Sequence, residues 1–231
     1  MSARIRFIAL ATLVAACATL SSCPLAGAQC PSGGLGVPCP ANSEIPCVIK
    51  LVGSTAGIAD ARGQFTVVVR DFANNPVQGA DVSVDLGSCF DTRIATPQPF
   101  PGITVTCNGS GAVVHGTTDA SGQAVFRIAG GGKLTTPGSP GAGIGCATIA
   151  AGTMTLGNVT VSAFDLNGVG GVNPADLSLF LNDSFAYAAS ATYVGRSDYN
   201  CTNSINPADF SMLIATSIGF GSTSSAAQYC Q

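Results

Sequence analysis

The sequence predicts a mainly β protein with a small α-helical module at its C-terminal end, and the larger part is a two-layer β-sandwich. Three observations support this fold class. Apolar and polar residues alternate with a period of two in short stretches between residues 47 and 163, and turn-forming Asn, Pro, Asp and Gly residues separate those stretches. The apolar period becomes helical only after residue 163. We therefore place the β body at 47–163 and the helical module at 164–231.

The first 28 residues have the composition of a secretory signal peptide. Arg4 and Arg6 precede an apolar run over residues 7–20, and Ala-Gly-Ala at 26–28 provides a cleavage site. The run of about 14 residues is short for a membrane span, and no later stretch is a transmembrane candidate. An alternative is lipoprotein-type cleavage, which would leave Cys23 as a lipid-bearing N-terminus. Either cleavage predicts an exported protein, secreted or held at the cell surface.

The cysteine content predicts disulfide bonds. Two of the ten cysteines, Cys17 and Cys23, lie in the leader, which leaves an even eight in the exported chain. A zinc site is the weaker interpretation, because the sequence has no Cys-x-x-Cys pair and only one His. The sequence leaves the connectivity open, although spacing favours Cys89 with Cys107 and Cys201 with Cys230. Cys30 with Cys39 and Cys47 with Cys146 would complete the set.

The charge balance argues against one class of partner. The chain has nine basic and twelve acidic residues, and two of the basic residues belong to the leader, so the exported chain has a net charge of −5. Nucleic-acid binding needs clustered Lys and Arg, and we therefore expect no nucleic-acid partner. From Asp165 onward the chain has five Asp residues and a single basic residue, Arg196. That bias suits a cation site in the helical module.

The β body follows an irregular lead-in. Residues 29–46 are rich in Pro, Gly and Cys without a hydrophobic period, so we expect one disulfide bond to hold them. Turn sequences at 74–76 and 119–122 separate predicted strands, and the Gly- and Pro-rich stretch 130–145 is predicted to be a loop. The four clearest strands have these inward faces: Phe65, Val67 and Val69; Val82, Val84 and Leu86; Ala124, Phe126 and Ile128; and Val159, Val161 and Ala163.

Three stretches of the body resemble bacterial immunoglobulin-like domains of the invasin and intimin type. They are GQFTVVVRD at 63–71, NPVQGADV at 75–82 and TDASGQA at 118–124. The resemblance implies an immunoglobulin-like β-sandwich over residues 47–163. Such domains commonly act as spacers or display modules, so the resemblance bears on the fold more than on the function.

A duplicated acidic pattern organises the C-terminal module. Asn-Pro-Ala-Asp occurs at 173–176 and again 33 residues later at 206–209, each time eight residues after the first Asp of an Asp-x-Asn triplet. Each copy forms a twelve-residue segment with oxygen-bearing residues at positions 1, 3, 9 and 12 and a main-chain carbonyl at position 7, as in loops that wrap Ca²⁺. We name these the first loop (165–176) and the second loop (198–209). Two carboxylates per loop predict weak binding, with a Kd on the order of 10⁻⁴ to 10⁻³ M. The candidate ligands are Asp165, Asn167, Gly171, Asn173 and Asp176 in the first loop, and Asp198, Asn200, Thr202, Ser204, Asn206 and Asp209 in the second.

A helical period follows each loop, and the two apolar stripes are expected to pack together about a pseudo-twofold axis. Asn173 and Asn206 are candidate N-caps, each followed by Pro at the first helical position. Capping alone is therefore an alternative explanation of Asn-Pro-Ala-Asp, although it does not require the upstream Asp-x-Asn triplets. The predicted stripes are Leu177, Phe180, Leu181 and Phe185 in the first helix, and Phe210, Leu213, Ile214 and Ile218 in the second.

The duplicated pattern resembles type I dockerins, the paired calcium-loop modules that bind cohesins in cellulosomes. The resemblance implies an EF-hand-like pair of loop-helix units with Ca²⁺ as cofactor and a protein partner. Position 5, usually Asp in that family, is Val169 in the first loop and Thr202 in the second, and the Gly of position 6 is Asn203 in the second. The positions at which the family contacts cohesin hold different residues here, so the resemblance does not imply cohesin itself.

The sequence offers no catalytic constellation. It lacks a Gly-x-Ser-x-Gly elbow, a phosphate-binding glycine loop and a His-based metal motif, and His115 lies in a predicted strand. Asp71, Asp81, Asp85 and Asp91 are expected to be solvated turn or strand-edge residues. We therefore predict a non-catalytic secreted or cell-surface protein in which an immunoglobulin-like spacer carries a calcium-binding interaction module. The alternative is a docking or carbohydrate-binding component of an extracellular polysaccharide-degrading assembly, which the absence of Trp disfavours.

Overall fold

The computed structural model describes residues 30, 34–55, 58–108, 111–133, 143–190, 195–218 and 229–230. These residues are mainly β with two helices at the C-terminal end, which confirms the predicted fold class at that level. The predicted leader and Cys23 lie outside the described residues. The strands are β1 (Val48–Leu51), β2 (Ser54–Thr55), β3 (Ile58–Ala59), β4 (Gln64–Val68), β5 (Asp81–Asp85), β6 (Thr92–Ile94), β7 (Thr104–Cys107), β8 (Ala112–Thr117), β9 (Gln123–Arg127), β10 (Gly130–Gly132), β11 (Ala147–Ala151) and β12 (Met154–Ala163), and the helices are α1 (Pro174–Ser190) and α2 (Pro207–Ile218).

Strands from separate sheets contribute to the main hydrophobic core. The largest is a six-stranded sheet in the order β1-β12-β11-β5-β8-β7, in which only β1 and β12 run parallel. The strands β4 and β9 form a separate antiparallel pair. Phe126 of β9 stacks on Phe65 of β4 with 5.2 Å between ring centroids, and its ring rests against Gly116 of β8. Aromatic and aliphatic side chains from the sheet and from this pair therefore share one interior.

The predicted alternation of the four clearest strands is confirmed, because every residue assigned to an inward face is buried. In a strand, every second side chain points to the same side, and the apolar side chains are the ones that point to the interior. β12 departs from this rule near its end, where Ser162 is fully buried as well. A short 3₁₀ helix, Gly195–Ser197, packs against β12 and excludes water from it.

The predicted loop over 130–145 is wrong at its beginning. Gly130–Gly132 forms β10, which pairs antiparallel with β6, whereas 134–142 lie outside the described residues. A strand of three glycines has no side-chain period for a sequence pattern to detect. The glycines allow backbones to approach closely, since a Cβ atom at Gly132 would collide with the carbonyl oxygen of Leu166. This approach places the start of the first loop against β10.

Three disulfide bonds are present among the described cysteines. Cys30–Cys39 confirms the predicted closure of the lead-in. The other predicted pairs are wrong, because Cys89 bonds Cys146 and Cys107 bonds Cys230. Spacing along the chain cannot show which strands become neighbours, and here the C-terminal end returns to the body through a bridge between residues 95 and 229.

A second hydrophobic core joins the helical module to the β body. It contains Val52 and Ala59 from the body, Phe164 and Leu166 at the end of β12, and residues of both loops and helices. The two helices meet where the rings of Phe180 and Phe210 lie 6.0 Å apart. Among the described residues, no helix combines the length and apolar character needed to cross a membrane.

The predicted apolar stripes of the helices are only partly correct. Phe180 and Leu213 are buried, but Leu181, Phe185 and Phe210 are exposed, and the side chain of Ile218 lies outside the described residues. The buried face of α1 instead runs through Asp176, Leu179, Phe180 and Asp183. The prediction from the apolar pattern missed this face because two of its residues are Asp, whose carboxylates have partners in the interior.

Candidate functional site

The two acidic loops lie at equivalent places before the two helices. One residue separates the first loop from the end of β12, and the second loop begins immediately after the 3₁₀ helix Gly195–Ser197. The Asp residues at positions 1 and 12 of each loop are all buried, with at most 1% of their surface exposed. Their carboxylates therefore face inward in both copies, which is the arrangement that a cation-binding loop requires.

In the first loop the two carboxylates hold the main chain from opposite ends. Asp165 Oδ1 accepts a hydrogen bond from Val169 N at 3.1 Å. Asp176 Oδ1 accepts from Asn167 N at 3.1 Å, and its Oδ2 accepts from Asn173 N at 2.8 Å. Asp176 thus connects the beginning of the loop to the beginning of α1. A residue that only capped the helix would bond the N–H groups of the first helical turn and not Asn167 N.

The amide of Asn173 has two separate functions in the first loop. Its Oδ1 accepts from Ala175 N at 2.9 Å, which confirms the predicted N-cap of α1. Its Nδ2 donates to the carbonyl oxygens of Val169 at 3.0 Å and Gly171 at 2.7 Å. The structure therefore directs the amide nitrogen, and not the predicted ligand oxygen, toward the carbonyls of positions 5 and 7.

In the second loop one carboxylate accepts hydrogen bonds from several main-chain N–H groups of the turn. Asp198 Oδ1 accepts from Cys201 N at 2.8 Å and, at 3.3 Å each, from the main-chain nitrogens of Asn200 and Thr202. Asp198 Oδ2 accepts from Asn203 N at 2.9 Å. This pattern places four main-chain donors around one buried carboxylate.

The far carboxylate of the second loop repeats the role of Asp176. Asp209 Oδ1 accepts from Tyr199 N at 2.8 Å and Asn200 N at 3.2 Å, and its Oδ2 accepts from Asn206 N at 2.9 Å. Asn206 Oδ1 accepts from Ala208 N at 2.8 Å, which confirms the second predicted N-cap. The pseudo-symmetry of the sequence is therefore kept in the hydrogen bonds.

The second loop also has a side-chain network. Thr202 Oγ1 lies 2.8 Å from Asn200 Oδ1 and 2.9 Å from Ser204 Oγ. Asn206 Nδ2 donates to Thr202 Oγ1 at 2.8 Å and to Ser204 Oγ at 3.2 Å. The polar side chains of positions 3, 5, 7 and 9 are thus brought together, whereas position 5 of the first loop is Val169, whose side chain is 61% exposed and has no oxygen.

Both loops turn through left-handed backbone, but with different residues. Positions 4 and 6 are Gly168 (φ 67°) and Gly170 (φ 77°) in the first loop, and Cys201 (φ 66°) and Asn203 (φ 57°) in the second. Asn adopts this region more readily than most residues. Cys has no such advantage, so its presence at position 4 calls for a separate reason.

Burial and mutual repulsion raise the pKa of the carboxyls at position 12. Burial raises the pKa of Asp176 to about 6, the N–H groups of Asn173 and Asn167 oppose this shift, and the negative charge of Asp165 adds to it. The pKa of Asp209 is raised by burial and by the charge of Asp198, and N–H groups again oppose the shift. The two carboxylates of each loop are therefore close enough to repel each other.

The first loop is attached to the β body by backbone contacts that the sequence did not reveal. Arg93 of β6 donates from Nη2 to Asn167 O at 2.7 Å and from Nε to Gly132 O at 3.0 Å. Gly132 N donates to Asp165 O at 2.6 Å. The first loop is thus hydrogen-bonded to β10 and bound by a cationic side chain from the body.

The second loop is attached through Tyr199, at its second position. The phenol donates to Ala163 O at 3.1 Å, and the ring stacks on Phe164 at 4.6 Å and on Phe180 at 6.1 Å. Burial raises the pKa of Tyr199 well above its usual value, so the phenol stays protonated and can donate. Tyr199 thus connects the second loop to β12 and to α1.

A buried ion pair joins the two halves of the module. Arg196 donates to Asp183 of α1 from Nε at 2.9 Å and from Nη2 at 3.2 Å, and Ser197 Oγ donates to the same carboxylate at 2.7 Å. All three residues are buried. The only sequence signal for this contact was that Arg196 is the single basic residue of the module.

The four Asp residues expected to be solvated behave differently from one another. Asp81 is paired with His115 of β8 at 3.2 Å, with both groups partly exposed. Asp85 caps a turn. Asp71 and Asp91 are buried, so the expectation of solvation is wrong for both. Burial opposes ionisation of Asp71, but hydrogen bonds led by Asn75 and Gly36 lower its pKa, whereas burial raises the pKa of Asp91.

Comparisons with protein-family models, curated proteins and solved structures find no match for this chain. Within the described residues, no three His, Cys, Asp or Glu side chains converge as a metal-binding group. Each loop has two carboxylates that could bind a cation, and any further oxygen ligands would have to come from amides, hydroxyls and main-chain carbonyls. The geometry of these loops is the basis for a functional proposal.

Proposed function

We propose that this is a non-catalytic exported protein whose β body carries a pair of Ca²⁺-binding loops, and that each cation stabilises its loop and the following helix. In both loops, the buried carboxylates of positions 1 and 12 are near enough for one charge to raise the pKa of the other. Buried carboxylates are stabilised by nearby positive charge. The single basic residue of the module, Arg196, is bonded to Asp183. A divalent cation would supply positive charge at each loop.

The oxygens available suit a hard cation, and they differ between the loops. The first loop offers the carboxylates of Asp165 and Asp176, the amide oxygen of Asn167 and the carbonyl of Gly171. The second loop offers equivalent groups and adds the hydroxyl of Thr202. Ca²⁺ takes six to eight oxygens, and extracellular modules with few carboxylates bind it with a Kd on the order of 10⁻⁴ to 10⁻³ M. We assign the tighter site to the second loop because of its extra hydroxyl.

The amide of position 9 is an internal competitor for the cation. Asn173 Nδ2 donates to carbonyl oxygens of the first loop, and Asn206 Nδ2 donates to the hydroxyls of Thr202 and Ser204 in the second. These hydrogen bonds satisfy oxygens that a cation would otherwise bind. They explain how each loop keeps its shape while the caps of α1 and α2 are formed, and they add to the reasons for expecting weak affinity.

The disulfide bonds and the exposed apolar surface of the helices support an interaction module that acts outside the cytoplasm. Three disulfide bonds are typical of proteins that fold in an oxidising environment. The helices expose large apolar side chains, and exposed apolar groups favour binding of a partner protein. We propose that the β body, of immunoglobulin-like kind, acts as a spacer that presents this module. The exposed apolar side chains are Leu181, Phe185, Phe210 and Met212.

The proposal is tested by calorimetric titration of the exported protein with CaCl₂, followed by thermal unfolding. We expect a Kd on the order of 10⁻⁴ to 10⁻³ M. At a free Ca²⁺ concentration of about 100 times Kd, the stability should increase by about 2.7 kcal/mol per site. The variant Asp165→Asn with Asp198→Asn should lose both effects, whereas Asp119→Asn, which changes an exposed turn, should retain them. Absence of heat and of a Tm increase beyond that of NaCl at equal ionic strength would overturn the proposal.

A further inference from the structure

Two cysteines of the described chain, Cys47 and Cys201, lie outside the three disulfide bonds. Cys47 immediately precedes β1, and Cys201 occupies position 4 of the second loop. Burial and the neighbouring Cys47 side chain raise the pKa of the Cys201 thiol, which is consistent with two thiols that lie near each other. The other six of the eight cysteines of the exported chain are paired with one another.

The fold attaches the segments that carry these two cysteines to the same strand. β1 lies parallel to β12, with Val48 opposite Thr160. The chain that leads into the second loop also contacts β12, because the segment Gly195–Ser197 packs on it and Tyr199 is bonded to Ala163. Cys47 is one residue before β1 and Cys201 is two residues after Tyr199, so both cysteines belong to segments that β12 positions.

The backbone at Cys201 supplies an independent argument. Its φ of 66° matches the 67° of Gly168 at the same position of the first loop. Glycine adopts this region without a steric penalty, and an L-residue with a side chain does so rarely. Cys at this position therefore strains the loop where Gly would not, and a function of the thiol would explain why Cys is present.

We propose that Cys47 and Cys201 form a fourth disulfide bond, which tethers the second loop to the first strand of the six-stranded sheet. Its formation requires an external disulfide, such as a low-molecular-weight thiol in its oxidised form. The thiolate of Cys47, the exposed member, attacks that disulfide and releases one external thiol. The thiolate of Cys201 then attacks the sulfur of Cys47 and releases the second. Two electrons pass from the protein sulfurs to the external disulfide, and its two sulfurs leave with the two protons.

The tether would make the second loop differ from the first in how its shape is kept. The first loop is attached to the body by Arg93 and β10, whereas the second has a covalent bond at its fourth position. If the loops bind cations as proposed above, formation of the Cys47–Cys201 bond should increase the cation affinity of the second loop and leave that of the first loop unchanged. This consequence rests on the proposed function, but the existence of the bond does not.

The first experiment is a peptide map of the exported protein, alkylated with iodoacetamide and digested without reductant. We expect a linked peptide pair that contains Cys47 and Cys201, alongside the three pairs already present. Those three pairs serve as the internal control for oxidising conditions. If they are intact while Cys47 and Cys201 are both alkylated after denaturation, the proposal is overturned.

The second experiment uses Cys201→Gly, which reproduces the residue of the first loop and removes both strain and thiol. If the tether exists, Tm should fall by roughly 5–10 °C despite the relief of strain. Cys47→Ser should lower Tm similarly, and the double variant should be no less stable than either single one. A neutral or stabilising Cys201→Gly would overturn the proposal. Calcium titration of the same variants separates the two ideas, because a tether without any Ca²⁺ response contradicts only the proposed function.

Discussion

The two loops share one sequence pattern but are supported by different parts of the molecule. The first is rich in glycine and takes its support from the β body, through Arg93 and the backbone of β10. The second supports itself through Asp198 and a network of Thr, Ser and Asn side chains. The duplicated pattern therefore specifies where the carboxylates and helix caps lie, but the contacts that stabilise the tight turn differ between the two copies.

The largest expected effect tests whether the two loops are coupled. Arg196→Met leaves the buried carboxylate of Asp183 without its cationic partner, and breaking such a pair costs about 3–5 kcal/mol. Because this pair joins α1 to the entrance of the second loop, urea unfolding should show both loops weakened together. Arg62→Met, which breaks an exposed ion pair, should cost about 1 kcal/mol or less. Loss of order in the second loop alone would show that the two copies are independent.

The next effect tests the self-supporting character of the second loop. Asp198→Ala removes an acceptor from four main-chain N–H groups, of which Asn200 N and Thr202 N keep a second one, and we expect a loss of about 2–3 kcal/mol. Hydrogen exchange should accelerate at residues 200–203 and remain slow in the first loop. Asp85→Ala removes one exposed cap and is the matched control. Equal acceleration in both loops would contradict the comparison.

A smaller effect tests the dependence of the first loop on the β body. Gly132→Ala places a Cβ atom against Leu166 O, and overpacking of this kind costs about 1–3 kcal/mol. Thermal unfolding and hydrogen exchange should show the change around residues 165–168 and spare the second loop. Gly34→Ala is the control, because its Cβ atom meets open space. A neutral Gly132→Ala would mean that β10 does not hold the first loop.

The pH dependence sharpens the comparison at the level of charge. The folded pKa of Asp176 is about 6, above its ordinary 3.8, so its contribution to stability is full below pH 3.8 and is lost as pH rises through 6. In EDTA, Tm should therefore rise as pH is lowered from 7.5 to 5.5, and Asp176→Asn should reduce that rise. Asp91 and Asp209, whose pKa values are also raised, act in the same direction. The lowered pKa values of Asp71 and Asp119 act below this window. Calcium affinity should change in the opposite sense, because protons compete for the same carboxylate. A Tm that falls over this range in EDTA would contradict the raised pKa.

The smallest expected effect on stability is the most direct test of the missing oxygen in the first loop. Val169→Asp adds a carboxylate at position 5, and its exposed side chain can change without disturbing the core. We expect Ca²⁺ affinity of the first loop to increase about tenfold, which corresponds to about 1.4 kcal/mol. Val169→Asn adds an oxygen without the charge and should have a smaller effect. Unchanged calorimetric titrations for both variants would mean that position 5 does not face the cation.

Sequence patterns predicted the strands well where burial acts on one face. The inward residues of β4, β5, β9 and β12 alternate because a strand has a period of two, and this rule needs no knowledge of the neighbours. The same patterns predicted a helix start at each Asn-Pro-Ala-Asp, which the structure confirms. They failed at β10, which has no side chains, and at the face of α1, where Asp183 is buried.

The sequence by itself determined the features that depend on residues close in the chain: the faces of the strands, the caps of the helices and the positions of the two acidic loops. Only the tertiary structure decided which cysteines meet, how Arg196 finds Asp183 and what supports each loop. The physical reason is range. Steric and hydrogen-bonding rules act over a few residues, whereas the partners of a buried charge or thiol depend on which distant strands the shared core brings together.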